Sequence, residues 1–84
     1  MVLPETPVTL TPAEVADLNR RLSEMRHNVN NLLALIVAAT ELIRRKPESA
    51  GRLVDNLTEQ PERIIDEIQR FSSEFERSLH IDRR

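Results

Sequence analysis

Apolar residues recur in this chain at alternating intervals of three and four over two long stretches. The first set is Val15, Leu18, Leu22, Met25, Val29, Leu32, Ile36, Ala39 and Ile43. This spacing places the side chains along one stripe of an α-helix, and it is the heptad pattern of helices that pack in left-handed bundles. With Val15 at heptad position a, the whole set falls at positions a and d. We call this stripe the seam of helix 1.

The limits of the first helix are marked by local signals. Thr11 is suited to cap the helix, Pro12 to occupy its first position, and Glu14 to complete a capping box. Leu10 before the cap and Val15 after it are spaced for a hydrophobic staple. At the other end, three basic residues at 44–46 favour a helix C-terminus, and a proline follows them. The sequence predicts helix 1 over about 12–45.

The second stretch predicts another helix, over about 48–79. Ser49 is a candidate cap. Pro61 cannot donate a backbone hydrogen bond to Leu57, so we expect a kink there; the alternative is that Thr58 caps a separate third helix. The helical apolar positions are Ala50, Leu53, Val54, Leu57, Ile64, Ile65, Ile68, Phe71, Phe75 and Leu79.

The width of the apolar surface predicts the assembly. Leu33, Leu35 and Leu42 flank the seam of helix 1 in its second half, so more than one neighbouring helix must cover that half. A hairpin of 84 residues cannot close such a core alone. We therefore predict an all-α fold, in which a helical hairpin over residues 11–79 dimerises into an antiparallel four-helix bundle. Residues 1–10 are expected to form a flexible arm, and residues 80–84 a frayed tail.

Composition and charge narrow the class of protein. Hydrophobic content is 39% and charged content 31%, with one glycine and no cysteine, tyrosine or tryptophan, which is typical of long helices and excludes disulfides and thiolate metal sites. A net charge of −2 gives no electrostatic case for nucleic acid. No apolar run is long enough for a membrane span, and the first residues lack a signal-peptide pattern. We expect a cytoplasmic protein that binds neither nucleic acid nor membrane.

One histidine occupies an unusual place in this pattern. His27 falls at heptad position f, farthest from the seam, where an imidazole is open to solvent. Asn31 lies one turn further on the same side, and Asn28 lies at the adjoining position g. Asparagine is a poor helix former, so an amide cluster around His27 is not typical of a plain solvated face. A phosphoryl acceptor would need such an exposed ring nitrogen.

These residues also carry a resemblance to a known family. The run His27-Asn28-Val29-Asn30-Asn31-Leu32-Leu33, the helix end Glu41-Leu42-Ile43 and the second-helix segment Leu57-Thr58-Glu59-Gln60-Pro61-Glu62-Arg63-Ile64 resemble the dimerisation and histidine-phosphotransfer domain of bacterial sensor histidine kinases. The resemblance covers roughly residues 13 to 79. It implies that His27 is the phosphoacceptor and that Asn31 positions water for dephosphorylating a response regulator.

Two departures from the family modify this expectation. Asn28 stands where most members carry a Glu or Asp that takes the imidazole proton, and an amide cannot act as that base. The sequence also contains no Gly-rich loop or ATP-binding domain, so we do not expect an autonomous kinase. The resemblance then implies a stand-alone phosphotransfer module, a possible phosphotransferase. It would bind no cofactor itself, and Mg²⁺ would belong to a separate receiver domain.

The partners implied are a second copy of the chain and a receiver domain, a separate kinase, or both. The expected docking patch below His27 comprises Ala34, Val37, Ala38 and Glu41. The alternatives are a dimeric scaffold derived from a histidine kinase that has lost phosphotransfer, and a bundle that captures a kinase. The carboxylates Asp66, Glu67, Glu74 and Glu76, with the arginines Arg63, Arg70 and Arg77, are interpreted as a solvated, ion-paired face.

Overall fold

A computed structural model describes residues 2–81 of the chain, whose regular structure is all helical. Helix α1 covers Pro12–Arg45, a short 3₁₀ turn covers Pro47–Ser49, and helix α2 covers Ala50–Ser78. The two long helices contact each other, and the molecule measures 58 × 28 × 12 Å. The all-α class is therefore confirmed, and its form is an extended rod.

Helix α1 begins with the capping box that the sequence predicts. The Oγ1 of Thr11 accepts from the backbone N–H of Glu14 at 3.1 Å, and a carboxylate oxygen of Glu14 accepts from the backbone N–H of Thr11 at 3.0 Å. Pro12 follows in the first turn, where its missing N–H costs no hydrogen bond. Because two of the otherwise unpaired N–H groups are satisfied by side chains, the helix start is well defined.

Helix α2 runs through Pro61 without a break. Thr58 does not cap a third helix, since its hydroxyl donates to the backbone carbonyl of Asp55 at 2.9 Å inside the same helix. Ser49 precedes α2 but makes no side-chain capping bond. A Schellman motif closes the far end: the N–H of Ile81 donates to the carbonyl of Glu76, and His80 adopts a positive φ of 56°. The predicted tail, residues 80–84, starts within this motif, and residues 82–84 lie outside the described part.

The seam of α1 faces α2. From Leu18 to Ile43 every seam residue is half-buried, whereas Val15 at the upper end is 52% exposed. The facing stripe of α2 consists of Leu53, Leu57, Gln60, Ile64, Glu67, Phe71 and Glu74, again at intervals of three and four. Three of these seven are polar. Residues 2–81 consequently contain no fully buried apolar side chain, and the two buried residues are Ser49 and Gln60.

Two contacts between the helices show the antiparallel arrangement. A guanidinium nitrogen of Arg21 lies 3.6 Å from a carboxylate oxygen of Glu74, and the amide of Asn28 donates to Glu67 at 3.1 Å. The residue number on α2 decreases by seven when the residue number on α1 increases by seven, as in an antiparallel pair.

The interpretation of Glu67 and Glu74 as part of a solvated face was wrong. Their side chains are 19% and 28% exposed and lie between the two helices.

Candidate functional site

His27 lies near the middle of α1 and is exposed, at the level where α2 carries Glu67 and Ile68. Its Nε2 is 3.3 Å from the side-chain Nδ2 of Asn31, one turn along the same helix. The two residues are held together because positions four apart are neighbours on a helical surface. A helix of 34 residues supports them, so their relative placement does not depend on a loop.

The contact with Asn31 favours one tautomer of the imidazole. An amide nitrogen only donates, so the contact is a hydrogen bond in the tautomer that has its lone pair on Nε2 and its proton on Nδ1. An electrophile that approaches Nε2 must replace the amide of Asn31 at that lone pair. Asn31 is thus placed to orient the ring and to adjoin whatever group is attached to Nε2.

Asn28 serves a different contact. Its amide donates across the hairpin to Glu67, whose other carboxylate oxygen lies 3.6 Å from a guanidinium nitrogen of Arg70. The structure therefore brings His27 together with Asn31, and it joins Asn28 to helix α2 instead of the imidazole. The sequence interpretation placed Asn28 beside the histidine and did not anticipate Glu67 in its surroundings.

A polar groove of about 440 Å³ opens beside this cluster, between the two helices. We call it the polar groove; its lining residues are Asn28, Asn31, Leu32, Arg63, Asp66, Glu67 and Arg70. Asn31 belongs to both the groove and the histidine pair, so a molecule seated in the groove would lie next to His27. The spacing of three and four along α2 includes Glu67, and this spacing was the signal that could have located the polar groove.

Below the polar groove, the same side of the hairpin carries an apolar groove of about 250 Å³. It is lined by Leu35, Ala38, Ala39, Leu42, Leu53, Asn56, Leu57 and Gln60. Of the four residues expected to dock a partner, Ala38 lines this groove. Ala34, Val37 and Glu41 are exposed, Val37 at 65%. Glu41 also forms ion pairs of 3.5 Å with Arg44 and with Arg45.

Gln60 forms part of the wall of the apolar groove and is 4% exposed. Its amide nitrogen lies 3.3 Å from the backbone oxygen of Asn56 and 3.4 Å from its side-chain oxygen, both near the limit for a hydrogen bond. The amide oxygen of Gln60 is buried without a partner. Nothing in the sequence pattern marked this residue.

Two further searches of residues 2–81 bear on the kind of site. They contain no group of three or more His, Asp or Glu side chains placed to hold a metal ion. In the same residues, neither long helix has a stretch apolar enough for a bilayer span. Comparison with known proteins adds no relative, since no family model, no curated protein and no solved structure matches this chain.

Proposed function

We propose that this chain is a stand-alone histidine phosphotransfer and dimerisation module of cytoplasmic two-component signalling, similar to the corresponding domain of sensor histidine kinases. The observation that carries the proposal is the exposed imidazole of His27, presented on a rigid helix with Asn31 at Nε2. Imidazole is nucleophilic near neutral pH, and a solvent-facing ring on a helix can be reached by a second protein.

The transfer step uses the ring as the geometry orients it. A receiver domain presents an aspartyl phosphate, and Asn31 moves away from Nε2 as the phosphoryl group approaches. A bond forms between Nε2 and phosphorus while the phosphorus–oxygen bond to the aspartate breaks. The aspartate leaves as a carboxylate, and the Nδ1 proton passes to water. The reverse reaction returns the phosphoryl group to a receiver, with Mg²⁺ supplied by the receiver.

The residues around His27 support different parts of this scheme. Asn31 adjoins Nε2 and would position water for removal of the phosphoryl group. Asn28 acts through Glu67, since it fixes the polar groove beside the histidine. The exposed residues Ala34, Val37 and Glu41, with Ala38 in the apolar groove, remain the proposed docking patch for the receiver.

We include a homodimer in the proposal because the single hairpin lacks an interior. A chain without a fully buried apolar side chain in residues 2–81 gains too little from burial to offset the entropy of ordering two long helices. Two hairpins in a four-helix bundle would provide the missing core.

One contact favours a second candidate, a dimeric scaffold without phosphotransfer. Asn28 lacks the carboxylate that the family uses beside its histidine, and its amide is engaged in holding the hairpin together. Under this alternative the amide cluster is structural and His27 is a solvated surface residue.

Chemical phosphorylation separates the two candidates. The protein is incubated with phosphoramidate, a donor that phosphorylates histidine, and its intact mass is measured before and after acid treatment. We expect one acid-labile phosphoryl group on the wild type and on His80→Ala, which removes the chain's other histidine. Because phosphoramidate reaches any solvated imidazole, the labelling rates decide between the candidates. His27 in His80→Ala should be labelled faster than His80 in His27→Ala. Equal rates in the two variants, or an unlabelled wild type, would favour the scaffold.

A further inference from the structure

The two sides of the hairpin differ in character. In an antiparallel pair, the residue one position after each contact residue lies on one side of both helices, and we call these the following positions. The residue one position before each contact residue, at a preceding position, lies on the other side. The preceding positions carry the two grooves and many polar side chains, including Arg21, Asn28, Arg63 and Arg70. On α2 the following positions carry large apolar side chains, and on α1 they carry Leu33 and Val37 among polar residues. Leu33 and Leu35, both expected in a dimer interface, therefore lie on opposite sides.

We define the apolar face by five side chains at these following positions. They are Leu33, Val54, Ile65, Ile68 and Phe75, with exposures of 46%, 49%, 52%, 44% and 39% respectively. They extend along most of α2 and reach α1 at Leu33. Five exposed apolar side chains on one side of a rod indicate an interface, because residues 2–81 contain no buried apolar side chain.

The area of the chain indicates how large that interface is. Its accessible surface is 6624 Å², whereas a folded monomer of 9.7 kDa is expected to expose about 5,100 Å². The difference of roughly 1,500 Å² per chain is in the range that obligate homodimers bury. The radius of gyration, 18.1 Å against about 12 Å for a compact domain of 84 residues, gives the same picture of an uncovered rod.

We propose that a second copy of this chain packs on the apolar face, leaving the opposite side, with both grooves, open. A two-fold interface is self-complementary, so one apolar face on each copy suffices. Packing through the groove side would instead bury the exposed side chains of Arg63 and Arg70, whose ion pairs, at 3.7 and 3.6 Å, are long and weak. The inference deepens the proposed homodimer and does not depend on phosphotransfer. It also keeps the polar groove beside His27 accessible to a partner. Of the proposed docking patch, only Val37, which follows the seam residue Ile36, lies on the covered side.

Single cysteines test the assignment, because the chain has none of its own. Ile68→Cys reports on the apolar face and Leu35→Cys, its matched control, on the groove side. Sedimentation first gives the mass of each variant, and the rate of reaction with a thiol reagent is then followed over a dilution series. We expect a dimer in which the thiol at position 68 reacts about tenfold more slowly when concentrated, while the rate at position 35 changes less than about twofold.

Three results would overturn the proposal: a folded monomer at every concentration, protection at position 35 in place of position 68, or equal rates at both. The outcome is separate from that of the phosphoramidate experiment. An unlabelled His27 in a dimer with a protected position 68 would remove the proposed phosphotransfer and leave this interface standing.

Discussion

Polar side chains occupy part of the contact stripe of α2. Gln60 is the most buried residue of the α2 stripe that faces α1, and its amide oxygen has no hydrogen-bond partner. Glu67 and Glu74 occupy the same stripe, where apolar residues would pack better. These polar positions contribute less apolar burial than Leu or Ile would, which makes them informative to substitute.

Gln60→Leu should stabilise the protein. The substitution removes a buried acceptor without a donor and adds apolar surface next to Leu57 and Leu53, so we expect the free energy of unfolding to rise by about 1 to 2 kcal/mol. Urea denaturation followed by circular dichroism measures the change. Gln69→Leu, on the exposed surface of α2, is the control and should change stability by less than about 0.5 kcal/mol. A destabilised Gln60→Leu would show that the amide has a partner in solution.

The capping box makes stability depend on pH. Hydrogen bonds from the backbone and hydroxyl of Thr11 lower the pKa of Glu14 below its ordinary value of 4.5. A carboxylate with a lowered pKa stabilises the folded state above its unfolded pKa, and this contribution is lost as pH falls through the folded value. Acidification below about pH 4.5 should thus lower the melting temperature, and Glu14→Gln should show a smaller decrease than the wild type.

The matched control for this pH series is Glu5→Gln, in the arm before α1. Its melting temperature should follow that of the wild type across the same range. If Glu14→Gln and the wild type decline in parallel, the capping box does not contribute to the acid response. Asp17, whose pKa is lowered chiefly by its hydrogen bond from Arg21, would then be the next carboxylate to substitute.

Among the elements, α1 was the more predictable from sequence. Thr11, Pro12 and Glu14 are local signals that act within one turn, and the seam has only one interpretation because its positions are nearly all apolar. Helix α2 was harder, since its apolar residues fall on two lines. Sequence could not decide which line faces α1, and the structure uses Leu57, Ile64 and Phe71 and leaves Ile68 and Phe75 exposed.

The site was predictable only where it depends on one helix. The pairing of His27 with Asn31 follows from their spacing of four, and both lie on α1. The contact of Asn28 with Glu67 joins residues 39 positions apart, and no local pattern encodes it. The grooves, the orphaned oxygen of Gln60 and the apolar face likewise arise only when two helices are brought together.

Pro61 lies inside α2, where a proline is expected to destabilise the helix. Within a helix, proline leaves the carbonyl of Leu57 without its usual donor and costs up to about 3 kcal/mol relative to alanine. Pro61→Ala should raise the melting temperature, monitored by circular dichroism. Pro47→Ala, at the first position of the 3₁₀ turn, should change it little, because a helix start tolerates proline. A lower melting temperature for Pro61→Ala would show that the proline is needed for packing.

As an assembly, the protein is expected to fold only when it associates. Leu33 lies on the apolar face, so Leu33→Asp would place a charge in the proposed interface, where burial of an unpaired carboxylate costs several kcal/mol. We expect this variant to dissociate and to lose helicity, measured by sedimentation and circular dichroism. Ala34→Asp, exposed and at the same outer heptad position as His27, is the charge-matched control. Unchanged mass and helicity in Leu33→Asp would exclude this part of α1 from the interface.

The proposed division of surfaces connects assembly with signalling. A second copy on the apolar face would supply the missing interior and leave His27, Asn31 and the polar groove on the surface of the bundle. Each dimer would then present two such sites. The functional proposal to be tested is the exchange of a phosphoryl group between His27 and a receiver aspartate.

Transfer from a phosphorylated receiver provides that test. Receiver domains from the same organism are phosphorylated with radiolabelled acetyl phosphate and Mg²⁺, freed of the small donor and mixed with wild type, His80→Ala or His27→Ala. The account predicts that at least one receiver passes its label to wild type and His80→Ala, that the label is lost in acid, and that His27→Ala accepts none. Label on His27→Ala, or no transfer to the wild type from any receiver, would contradict it.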